Sequence, residues 1–77
     1  MCWCYSMEIE DAGRMLSRAL LPFDHSMVNI ESITSSRTST SMISLRVVAE
    51  ANVEQSQHIE ALLWKIHGMI QLIVTNC

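Results

Sequence analysis

Three groups of side chains in this 77-residue chain have the types that chemistry uses. Cys2 and Cys4 bracket Trp3, with Cys77 far along the chain; His25, His58 and His67 are dispersed; Glu8, Glu10 and Asp11 run almost together. A thiolate beside an imidazole makes a nucleophile, so Cys4 with one of the three histidines is the pair that covalent hydrolysis would need. His58 and His67, however, fall on the flank of a helical segment and read as solvated. Cysteines could instead hold zinc, but "CWC" has a one-residue gap where zinc ligands favour two, and alternate strand residues share a face without forming a tetrahedral set. The carboxylates stand just before a helical stretch, where the helix macrodipole favours negative charge without any catalytic role. Only two glycines are present, so no Gly-rich phosphate loop exists. Met7 and Met15 sit at core positions, where a flexible thioether fills gaps. No nucleophile, base and anion hole can be assembled from these residues, and no catalytic residue or metal ligand is assigned.

The elements that carry these residues follow from periodicity. Trp3, Tyr5, Met7 and Ile9 alternate with Cys4, Ser6 and Glu8, which is a strand with one buried face. Asp11 then reads as the N-cap of a helix whose apolar stripe is Leu16, Ala19, Leu20 and Phe23. Pro22 lacks an N–H and should kink that helix or stop it near Leu21. β-Branched residues return from Val28 to Thr34 and again from Met42 to Ala49. The hydroxyl-rich "SSRTSTS" between them reads as the wide tip of a hairpin, where Ser side chains satisfy turn amides. Asn52 with Gln55 three residues on is a capping box opening a second helix, with Ile59, Leu62, Leu63 and Ile66 as its stripe and Gly68 as its stop. Residues 69 to 75 form the last strand, with Ile70, Leu72 and Val74 on one face. The order β-α-β-β-α-β predicts an α+β ferredoxin-like sandwich, one four-stranded antiparallel sheet with two helices on one face.

Composition narrows the partners. A chain this short buries only about 60% of its unfolded surface, and 49% hydrophobic against 17% charged residues leaves an apolar surplus that favours an oligomer. The net charge is −3 and the basic residues Arg14, Arg18, Arg37, Arg46 and Lys65 are scattered, which argues against nucleic acid. No segment approaches the roughly 20 apolar residues that span a bilayer. Three cysteines are an odd number that makes no disulfide framework, in keeping with a reducing, cytoplasmic setting. Trp64 lies off the apolar stripe of its helix, either as an interface residue or folded over the helix edge.

The element order, "DAGRMLSR" at the first strand-to-helix loop and "NIESIT" entering the second strand resemble the ACT domain. The resemblance is closer to the N-terminal ACT domain of the small, regulatory subunit of acetolactate synthase (acetohydroxyacid synthase), and it covers almost the whole chain, 1–77, as a single domain. "VNIESIT" is its sharpest part; "LSR" at 16 to 18 and "IEALLWKIHGMIQL" add to it. The resemblance implies a homodimer that binds an amino acid, valine in the small subunits, where two ACT domains pair. The effector residues it implies are Asp11, Gly13, Arg14, Met15 and Leu16 from the first loop, with Asn29 and Ile30 reaching across from the second protomer. An amide at Asn29 both donates and accepts, which suits an α-amino and α-carboxylate pair. The family loop runs Asn-x-Pro-Gly or Asn-x-Ser-Gly; counting back from "LSR" puts Asp11 at the Asn and Arg14 at the Gly, whereas a one-residue shift puts Gly13 there. Met27 stands where a Gly usually ends the turn before strand two. By the same resemblance the chain is non-catalytic and binds the acetolactate synthase large subunit, which carries thiamine diphosphate and Mg, in branched-chain amino acid biosynthesis. The alternative is a free-standing ACT module that senses an amino acid for a different enzyme or regulator.

Overall fold

Strict apolar alternation between residues 2 and 10 produces β1 (Cys2–Glu10), the strand around which the fold is organised. The structure, a computed structural model, describes residues 1–11 and 14–77. After β1 come α1 (Met15–His25), β2 (Asn29–Arg37), β3 (Met42–Glu50), α2 (Val53–Trp64) and β4 (Met69–Asn76). The strands form one sheet in the order β2-β3-β1-β4, antiparallel at every pairing. This is the ferredoxin-like βαββαβ sandwich expected from the element order. Tyr5, Met7 and Ile9 of β1, with Leu45, Val47 and Ala49 of β3, meet Met15, Ala19 and Phe23 of α1 and Ile59 and Leu63 of α2 in one buried cluster.

Several local expectations are corrected. Arg14, not Asp11, is the residue before α1, and it makes no side-chain cap. Pro22 does not end the helix, which runs to His25. It stands in the last turn, where only one helical bond is forfeited; its carbonyl accepts from Ser26 N at 3.1 Å, and its ring and Phe23 are buried. The strands of the hairpin extend further than their β-branched residues, so Ser35, Ser36 and Arg37 belong to β2 and the tip is residues 38–41. There Thr38 N donates to Met42 O at 3.0 Å and Ser39 Oγ accepts from Ser41 N at 3.4 Å, the use expected of a hydroxyl-rich turn.

The second helix begins as its sequence predicts. Asn52 Oδ1 accepts from Gln55 N at 2.7 Å and Gln55 Oε1 from Asn52 N at 3.0 Å, a complete capping box. It ends at Trp64 rather than Gly68, and Lys65 and Ile66 close it through short-range bonds to Leu62 O and Leu63 O. Gly68 serves the turn that follows: its φ is +102°, and a Cβ there would lie 3.2 Å from Glu10 O. A register irregularity between Glu8 and Ile9 sets Met69 opposite Ile9. Consequently Met69, Leu72 and Val74 pack on the core while Ile70 is 56% exposed.

Cys2 and Cys77 form a disulfide, against the expectation from an odd cysteine count. Antiparallel pairing of β1 with β4 brings the two together, with Cys77 N donating to Cys2 O at 3.1 Å. Cys4 is buried and free. On the sheet face away from the helices, its sulfur receives Arg46 Nε at 3.0 Å, so no Cys–His pair is built.

Among the described residues, two without glycine's freedom hold left-handed backbones, Arg14 at φ 56° and Met27 at φ 55°. Met27 is 88% exposed and contributes almost no packing. Met27→Gly is therefore expected to raise stability by about 1 kcal/mol, read as a Tm several degrees higher.

In the core the Tyr5 hydroxyl donates to Ser56 Oγ at 2.9 Å, both groups being buried. Burial pushes the phenol above its usual value of 10.0, repulsion from Glu60 adds to this, and the Ser56 bond opposes it. The folded state thus holds its proton more tightly than the unfolded one, so this contribution is complete below pH 10 and is lost as pH rises through the raised value. Urea denaturation between pH 9 and 12 should show wild-type stability falling faster than that of Tyr5→Phe.

Candidate functional site

The residues that the ACT resemblance implies for an effector occupy two places on the molecule. The first is the start of α1. The opening amides of any helix lack intrahelical acceptors; at α1 the N-cap Arg14 makes no side-chain cap, and the first turn holds no acidic residue. Its partner α2, by contrast, has its capping box and Glu54. The N-terminus of α1 has a positive dipole end, which suits a carboxylate. Arg14 is exposed there. Met15 is fully buried, so it can offer a ligand only its backbone, while Leu16 is half-buried against the core. Gly13 lies outside the described residues.

Asp11 is tied down rather than directed at a ligand. Its N donates to Ser41 O at 2.7 Å, and its Oδ2 pairs with Arg37 Nη2 at 2.7 Å. Arg37 also donates from Nη1 to Thr40 O at 3.3 Å. The loop after β1 is in this way fastened to the hairpin tip and to the final residue of β2. Sequence reasoning missed Arg37, which reads there as one charge in a hydroxyl run; only the length of β2 carries it to Asp11.

The second place is the head of β2. Asn29 is exposed and pairs with Glu50, which on its other side faces Cys2. Asn29 is therefore level with the beginning of β1, whereas Asp11 follows its end. At about 3.3 Å per residue the two are roughly 30 Å apart, along a molecule 35 Å long. A single chain cannot bring them to one small ligand. Between them runs β2, an edge strand exposed along all nine residues, with Ile30 and Ile33 among its uncovered apolar side chains.

No protein-family model matches the sequence, and no curated protein matches it. Among solved structures, the chain is similar to the ACT domain from GTP pyrophosphokinase of Chlorobium tepidum, with a TM-score of 0.84 and 13% identity over 97% of each chain. It is similar also to the C-terminal domain of the MgtC protein from Mycobacterium tuberculosis, with a TM-score of 0.78 and 7% identity over 99% of this chain and 86% of that one. The ligand-free regulatory subunit of aspartate kinase from Thermus thermophilus matches with a TM-score of 0.69 and 13% identity, covering 96% of this chain and 49% of the subunit. Likeness at these identities speaks for shape, and the shape of this chain is that of an ACT domain.

Proposed function

We propose that this chain is a non-catalytic regulatory module that pairs into a homodimer, binds an amino acid between protomers and modulates a partner enzyme. The observation that carries the reading is the separation of Asn29 from the loop at Asp11. If two β2 edges pair antiparallel about a two-fold axis near Ile33, Asn29 of one protomer meets the Arg37 end of the other, and Arg37 holds Asp11. Two symmetric sites then arise at the ends of the interface, each with an α1 N-terminus from one protomer and Asn29 and Ile30 from its partner. An α-carboxylate suits the helix amides, and the Asn29 side chain can accept from the α-amino group. Burying Ile30 and Ile33 and closing an open strand edge supply the drive to pair. Two of the similar structures, one named as an ACT domain from GTP pyrophosphokinase and one as the regulatory subunit of aspartate kinase, lend the regulatory reading support by analogy.

The partner we favour is the acetolactate synthase large subunit, with valine as effector, on the strength of "VNIESIT" and "LSR". Thiamine diphosphate and Mg belong to that subunit and none of the chemistry to this chain. Valine would regulate by stabilising one arrangement of the dimer over another, a coupling free energy between two sites. The cytoplasm is the compartment this role requires, and no helix among the described residues is long and apolar enough to cross a membrane. A Cys2–Cys77 bridge is more at home in an oxidising compartment, so in the cytoplasm its closure would follow the local redox poise. The second reading, an ACT module serving a different enzyme, is favoured by the variety of proteins that share the shape.

Calorimetric titration tests the sensor. Valine is expected to bind saturably, and Asn29→Ala to weaken it about tenfold or more, the worth of a hydrogen bond to a charged group. Absence of heat and of any thermal shift with valine, leucine and isoleucine would remove the sensor reading. Co-purification with an acetolactate synthase large subunit separates the first partner assignment from the second.

A further inference from the structure

A groove lies between the two helices. It has a volume of about 250 Å³, with an aliphatic wall of Leu21, Leu62 and Ile66 and the cationic or protonatable groups Arg18, His25 and His67 around it. We infer that this groove is a binding site for a small aliphatic monocarboxylate, independent of the effector site discussed above.

Its origin is visible in α1. Met15, Ala19 and Phe23 face the core, while Arg18, Leu21, Pro22 and His25 recur at i, i+3, i+4 and i+7 and form the stripe beside it. Pro22 belongs to both stripes and is the floor that joins them. Facing it, α2 ends at Trp64, earlier than its apolar repeat, so Ile66 and His67 lie in the turn beyond and border the groove instead of continuing the helix.

Charge decides the sign of the ligand. Acidic residues outnumber Lys and Arg eight to five in this chain, yet no described residue lining the groove is acidic. Three of the chain's Lys, Arg and His residues gather there, and none is in an ion pair among the described residues. The carboxylate belongs at Arg18 and His67. His25 stands in the last turn of α1, beside the negative end of the helix dipole, and is the less favourable place for an anion.

Size and lining decide the rest. The volume, below the roughly 300–1,000 Å³ of drug-sized pockets, leaves no room for a nucleotide. An acid with a short branched or linear aliphatic tail fills the Leu21, Leu62 and Ile66 wall and leaves its head at the guanidinium, which can donate two parallel hydrogen bonds to a carboxylate.

Amide chemical-shift titration of the intact chain with sodium 4-methylpentanoate tests this, with its methyl ester and sodium acetate as controls. The expected result is saturable shifts at Arg18, Leu21, Leu62 and Ile66, with both controls at least tenfold weaker. Arg18→Gln, an exposed position, should weaken the acid tenfold or more and leave shifts remote from the groove unchanged. Equal binding of the ester, or full affinity in Arg18→Gln, would overturn the assignment, as would the absence of saturation. Shifts confined to Leu16 and Asn29 would overturn it too and would place the carboxylate at the effector site instead, leaving that proposal intact.

Discussion

Reduction of the Cys2–Cys77 disulfide is expected to lower the stability of the domain by about 4 kcal/mol. The bridge joins residues 75 apart, and closing a loop of that length in the unfolded chain removes conformational entropy worth roughly that amount on the chain-entropy account. Little of it is lost from native contacts, because β1 and β4 remain paired from Trp3 to Ile9 without it. The effect is large against a total that for a domain this size is on the order of 4–12 kcal/mol. Urea denaturation with and without dithiothreitol measures it. Cys2→Ser should match the reduced wild type and be indifferent to reductant. An unbridged chain as stable as the oxidised one would show that the bridge does not form in solution or does not constrain the unfolded ensemble.

Phe23→Ala should cost about 3–5 kcal/mol, the range for emptying a fully buried aromatic position. Phe23 is fully buried, and its ring stands edge-on to that of Tyr5, with centroids 4.9 Å apart and planes at 82°. About 0.5–1.5 kcal/mol of the loss belongs to that aromatic pair and the remainder to the cavity and lost burial. Phe23→Leu, which refills most of the volume, should cost substantially less. Because Phe23 is the far anchor of α1, its truncation loosens the helix whose outer stripe carries Arg18. Chemical denaturation of the three proteins decides it. A loss under 1 kcal/mol in Phe23→Ala would mean that α1 is held by other contacts.

The parts of the fold legible from sequence were those set by neighbours close along the chain. Alternation through Trp3, Tyr5, Met7 and Ile9 identifies a strand and its buried face, and Asn52 with Gln55 identifies a helix start, because both patterns depend on residues two to four positions apart. The same local reasoning misjudged Pro22, since the cost of a missing N–H depends on how near the helix end it falls and on what its ring packs against. It overextended α2 to Gly68, whose positive φ serves a turn beneath Glu10 rather than a helix cap. It put Ile70 on the core face, because one irregularity in the β1–β4 register is invisible in β4 alone.

By itself, then, the sequence determined the element order, the buried faces of β1 and β3 and the opening of α2. It also pointed, through "VNIESIT", to an ACT-type arrangement and to Asn29. Only the tertiary structure decided that Cys2 meets Cys77, that Arg37 holds Asp11, that Arg14 and Met27 take left-handed backbones, and that Asn29 and Asp11 stand at opposite ends of the sheet. The physical reason is the same in each case. Local periodicity fixes which way a side chain faces on its own element, whereas the distance between two elements follows from strand order and register, which are settled by the packing of the whole chain at once.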